Sequence, residues 1–117
     1  MFDNLYYYKG TATSVYDGDT ITVTLDLGMR IKRERIKIRL FGIDAPELRG
    51  ESLLRGRESR DFLRSKILNK EVIIQTIRDK KGKYGRYLGK VWINEEGDWN
   101  NINDILVQEG YAVTKEY

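Results

Sequence analysis

A β-rich α+β fold is predicted: a five-stranded OB-fold barrel with a helix between strands three and four and a short C-terminal helix. Three observations carry this expectation. Residues 20–27 and 36–40 alternate apolar and polar side chains, the period of a strand with one buried face. Two stretches, near residues 56–68 and 101–110, instead place apolar residues at helical spacing. The resulting order is three strands, a helix, two strands and a helix, as in a small barrel that closes its sheet and commonly binds oligonucleotides on its exposed face.

Each element follows from local chemistry. Residues 6–16 are rich in aromatic and β-branched side chains and form the first strand, and Asp17-Gly18-Asp19 is a turn. The second strand, residues 20–27, sets Ile21, Val23, Leu25 and Leu27 on one face and Thr20, Thr22, Thr24 and Asp26 on the other. Gly28-Met29 leads into a long basic strand that ends near Phe41. Residues 48–55 are expected to be a loop, and 56–68 a helix with Phe62, Leu63 and Ile67 on its apolar face. Strands four and five are predicted at 71–77 and 87–93, joined by the polar loop 78–86. After a turn near 95–99, Asn101 caps the last helix, whose apolar face is Ile102, Ile105 and Leu106 and which Gly110 ends.

The chain of 117 residues suits a single domain over 1–117, with no internal repeat, linker or low-complexity segment. Residues 1–6 show no basic segment followed by an apolar run, and no membrane span is present, so the sequence as written predicts a cytoplasmic protein unless its start is processed. A monomer is expected. With His 0 and Cys 0, disulfides, a catalytic thiol, an imidazole base and an ordinary zinc site are all excluded. Any metal must sit on oxygen ligands, which points to calcium, magnesium or manganese. A general base must be a carboxylate, a lysine or a tyrosine.

Net charge is only +3, yet it is unevenly spread. Arg30, Lys32, Arg33, Arg35, Lys37 and Arg39 face Glu34 alone, and Arg78, Lys80, Lys81, Lys83, Arg86 and Lys90 face Asp79. Beyond Ile93 the balance turns acidic. Two basic blocks in a barely basic chain point to a localised polyanion-binding surface, although each block alone also reads as a solvated strand face or loop.

Around residue 40 the sequence brings chemistry together. Arg39 reaches the end of the third strand, and Asp44 and Glu47 follow it on either side of Ala45-Pro46, where the chain's only proline stiffens the turn. A guanidinium and two carboxylates are parts of metal-assisted phosphodiester hydrolysis. Taken singly they also make surface ion pairs, and Asp17-Gly18-Asp19 or Lys83-Tyr84-Gly85-Arg86 alone could be no more than turns. Tyr6, Tyr7, Tyr8 and Trp92 read as core and sheet-face residues.

Jointly, Val15-Tyr16-Asp17-Gly18-Asp19-Thr20, the segment from Arg39 to Glu47, and Lys83-Tyr84-Gly85-Arg86 resemble the staphylococcal nuclease (thermonuclease) family over nearly the whole chain. The resemblance implies a calcium-dependent endonuclease acting on DNA and RNA, single-stranded or loosened, with little sequence preference. It implies Asp19 and Asp44 as metal ligands, with the Ala45 main-chain carbonyl as a third. Glu47 would hold the attacking water, Arg39 and Arg86 would grip the scissile phosphate and stabilise the transition state, and Lys83 and Tyr84 would contact a neighbouring phosphate. Lys81 would add affinity. Relatives continue past the position of Tyr117 with a third helix, and neither Tyr111 nor Tyr117 aligns cleanly with the aromatic pair that stacks on a base. The alternative is a non-catalytic OB module that binds nucleic acid or protein. Replacing Glu47 or Arg39 by alanine is expected to cost orders of magnitude in cleavage while leaving folding nearly intact.

Overall fold

The computed structural model describes residues 6–77 and 87–116. Five long strands close a barrel. β1 (Tyr7–Asp17), β2 (Thr20–Asp26) and β3 (Lys32–Leu40) form an antiparallel meander, and β5 (Glu71–Ile77) pairs with the first half of β1. β6 (Tyr87–Glu95) runs antiparallel to β5 and parallel to β3 through Ile38↔Tyr87, Arg39↔Leu88 and Leu40↔Gly89. That parallel contact closes the sheet and fixes the end of β3, where Arg39 stands.

The strand period explains the barrel interior. Ile21, Val23, Ile38, Leu40, Val72, Ile74 and Val91 alternate inward and are fully buried. Register shifts at Ala12/Ser14 and Val15/Asp17 bend β1 so that one strand serves two neighbours. Leu27, expected on the buried face, lies beyond the end of β2 and is exposed, because the ribbon projects past the barrel there.

α1 (Leu53–Ile67) crosses the barrel end and buries Leu63 and Ile67, with Phe62 packed beside them. It begins three residues before the expected start, after a short 3₁₀ turn at Gly50–Ser52. Gly56, the expected boundary, lies inside the helix instead. A Cβ there would stand 2.6 Å from the Glu47 carbonyl oxygen, so glycine marks a close crossing rather than a helix end.

Two small ladders were not expected. Residues 95–99, predicted as a turn, overlap β7 (Asp98–Asn101), a hairpin partner of β6 reached through Glu96 and Gly97 at φ 55° and 93°. β4 (Ile43–Asp44) pairs with β8 (Val113–Thr114) at Ile43↔Thr114 and Asp44↔Val113. Between these, α2 (Ile102–Gln108) is capped as predicted by the Asn101 side chain, which accepts from the Asn103 and Asp104 amides at 2.8 and 3.4 Å. Gly110, at φ 81°, follows the helix end.

A buried amide locks α2 to the strands. Asn103 donates from Nδ2 to the Phe41 and Gly89 carbonyls at 2.9 and 3.1 Å and accepts at Oδ1 from the Val91 amide at 3.2 Å. Nearly all its hydrogen-bonding capacity is used, which lets a polar group sit in the core.

Candidate active site

Asp17 and Asp19, at the β1–β2 turn, meet Arg39 of β3 and the β4 loop at one end of the barrel. Gly18 makes that meeting possible: a Cβ at this position would stand 2.7 Å from the Ala45 Cβ and 2.8 Å from that of Ser59. The turn is therefore wedged between the β4 loop and α1. Ser59 adds a 2.6 Å hydrogen bond to the Tyr111 carbonyl, tying α1 to the segment that leads into β8.

Asp19 is buried at 6% exposure and fully engaged. Its Oδ2 accepts the Ala45 amide at 2.8 Å and lies 3.4 Å from Arg39 Nη2, while Oδ1 accepts the Thr20 hydroxyl at 3.1 Å. Arg39, also 6% exposed, extends the same Nη2 to Asp44 Oδ1 at 3.1 Å and donates from Nη1 to the Leu40 carbonyl at 3.0 Å. Its Cα is on the polar face of β3, yet the carboxylates gathered around the guanidinium cover it. Asp44 keeps a half-exposed side chain while its backbone is set by the β8 pairing.

Asp17 extends the acidic group. Its Oδ1 accepts the Asp19 amide at 3.0 Å. Burial, followed by the hydrogen bond to and the charge of the Asp19 carboxylate, pushes the Asp17 carboxyl up to about 6. Two carboxylates thus hold the guanidinium, and a third beside them, Asp17, ionises reluctantly.

Glu47 is built differently. Its carbonyl accepts the Ser52 hydroxyl at 2.8 Å and packs against Gly56, so the main chain is pinned. Its side chain is exposed and meets Arg49 Nε at 2.8 Å. Asp19, Arg39, Asp44, Ala45 and Glu47 line one open cleft of about 740 Å³. The cleft also takes in Asp17, Thr22, Lys37, Arg64 and Lys115, which sequence reasoning did not assign to the site. Arg64 could have been found from its place on the polar face of α1, and it donates to the Val15 carbonyl at 3.1 Å.

Arg86, Lys81, Lys83 and Tyr84 lie outside the described residues, as does Tyr117. The Tyr111 ring stacks on Phe62 of α1 at 4.3 Å between centroids and is not among the residues that line the cleft. Among the described residues no group of three or more His, Cys, Asp or Glu side chains is arranged to hold a metal ion. Two carboxylates and neighbouring main-chain oxygens nevertheless make an oxygen-only donor set.

The fold and cleft define a class first: a small closed OB-type barrel that buries an arginine between aspartates where its third strand ends. The family model for staphylococcal nuclease homologues matches residues 37–117, and the chain belongs to that family. It is 33% identical over 131 residues to an uncharacterized protein of Methanocaldococcus jannaschii, covering 94% of this chain and 60% of the relative. A micrococcal nuclease of Shigella flexneri is 34% identical over 115 residues, covering 94% of this chain and 60% of the relative. A thermonuclease of Staphylococcus hyicus is 32% identical over 106 residues, at 88% and 57% coverage. The chain therefore spans less than two thirds of the length of these relatives.

Proposed function

We propose that the chain is a calcium-dependent endonuclease that hydrolyses phosphodiester bonds of DNA and RNA with little sequence preference. The observation that carries the reading is Arg39, a nearly buried guanidinium held 3.1 and 3.4 Å from the Asp44 and Asp19 carboxylates in the wall of an open cleft. A donor fixed before substrate arrives stabilises charge that develops on phosphate oxygens without reorganising at the moment of reaction. Its planar fork also matches phosphate geometry, which a lysine does not.

In this reading the Asp19 and Asp44 side chains and the Ala45 carbonyl hold the cation. Calcium bound there supplies Lewis-acid polarisation of the phosphate and neutralises the acidic cluster. Glu47, exposed on a pinned backbone, orients the attacking water and accepts its proton. Arg39 and Arg86 grip the scissile phosphate, while Lys81, Lys83 and Tyr84 hold flanking phosphates. Because the grip is on the backbone, binding is salt-sensitive and nearly indifferent to sequence. A module that only binds needs no glutamate at the cleft rim, and no observation favours that alternative over catalysis.

The test is cleavage of heat-denatured DNA and of RNA by the purified protein, in calcium and in excess chelator. Cleavage that calcium restores after chelation is expected. A folded protein that binds the same strands but leaves them intact in calcium would replace this reading with the binding module.

A further inference from the structure

We propose that the outer face of the β2–β3 ribbon is a second nucleic-acid track, carrying substrate from the cleft out to the ribbon tip. The inference rests on the nuclease reading and assigns that site a longer footprint than the cleft alone. Register places the residues. Thr20 pairs with Arg39, Thr22 with Lys37, and Asp26 with Lys32, while β2 keeps Thr20, Thr22, Thr24 and Asp26 on its outer face. Lys37 and Arg39 line the cleft, so the face bearing Lys32 is a continuation of its wall. From Arg39 to Lys32 the strand advances roughly 23 Å, enough to pass about seven phosphates at stacked spacing.

Charge on the ribbon is not neutralised internally. Arg30, Lys32, Arg33, Arg35 and Lys37 are all exposed, and among the described residues none forms an ion pair with a carboxylate. Asp26, directly opposite Lys32, is turned to the hairpin and accepts the Gly28 amide at 2.9 Å. Against Asp26 and Glu34, the five exposed cations leave a net charge of +3, with Arg39 paired in the cleft wall. A bulge, with Arg35 at φ 59°, separates the outer half of the ribbon from the barrel. The tip also exposes Leu27, Met29 and Ile31. Basic and apolar residues together would suit an anionic membrane as well. Continuity with a cleft read as a phosphate site favours the nucleic acid.

The experiment compares wild type with the double variant Arg30→Gln and Lys32→Gln, whose positions lie outside the cleft; Arg33 is left alone because it pairs with Leu25 on the opposite face. Cleavage of a single-stranded 20-nucleotide substrate and of a trinucleotide is measured over a salt series. For the 20-mer the expected result is a KM raised on the order of tenfold with kcat unchanged, and a slope of log affinity against log salt reduced by about 1.4. For the trinucleotide, which does not reach the ribbon, KM should be unchanged. Equal KM for wild type and variant on the 20-mer, or equal losses on both substrates, would overturn the track. So would tighter binding to phosphatidylserine vesicles than to the 20-mer. If wild type cleaves neither substrate the nuclease reading fails, and anisotropy with labelled 20-mer then decides the track alone: a tenfold loss of affinity in the variant supports it, and no loss sinks it.

Discussion

The cleft has a wall and a rim, and the two are made by opposite means. In the wall, Asp19 and Arg39 are both 6% exposed, and each charge is satisfied by neighbours on several elements. At the rim, Glu47 is held by its backbone alone, with its carboxylate in solvent against Arg49. A wall charge thus belongs to the fold and to the site at once. A rim charge is nearly free of structural duty, and substitution there can report on chemistry without disturbing the barrel.

Breaking the wall should have the largest effect. Arg39→Met leaves the Asp19 carboxylate buried without its cation, and removing one partner of a buried pair costs about 3–5 kcal/mol. Denaturant unfolding should show that loss. This revises the expectation, drawn from the role that the resemblance assigns to Arg39, that alanine there would leave folding nearly intact: the guanidinium is buried against Asp19. Wild-type stability in the Arg39→Met variant would show that the wall is not a structural unit.

A smaller effect sharpens the boundary between wall and rim. The Asp17 carboxyl ionises near pH 6 in the folded chain but in the ordinary carboxylate range when unfolded, so its neutral form is favoured by folding. Its contribution is fully present below about pH 4 and is lost as pH rises through 6. The rise corresponds to at most about 3 kcal/mol, which solvent at the cleft reduces to roughly 1. In chelator, Asp17→Asn should therefore be about 1 kcal/mol more stable than wild type at pH 8 and equal to it at pH 4. Melting curves at the two values would show it, and an equal difference at both would remove the titration argument.

How much of this was legible depended on the length of the pattern that each feature leaves. Residues 20–26 and 36–40 carry several periods of alternation, so β2, β3 and their buried face could be read directly. The β4–β8 ladder involves two residues on each side, too few to leave any period, yet it positions Asp44. Gly56 misled because one residue type serves both helix ends and close crossings, and only the approach of the Glu47 carbonyl distinguishes them. The residues at 19, 39, 44, 45 and 47, which the fold brings to one cleft, could be named from motif and resemblance. That Arg39 is buried could not be, because strand parity puts it on the polar face and only the distant Asp19 turn covers it.

The most direct measurement is on Glu47→Gln, assayed for unfolding and for calcium-supported cleavage of single-stranded DNA in the same preparation. An exposed rim side chain predicts stability within about 0.5 kcal/mol of wild type. A proton-accepting role predicts kcat lower by about 10²–10⁴-fold. Full turnover in a folded variant would contradict the assignment of Glu47, and a large loss of stability would contradict the division of the cleft into wall and rim.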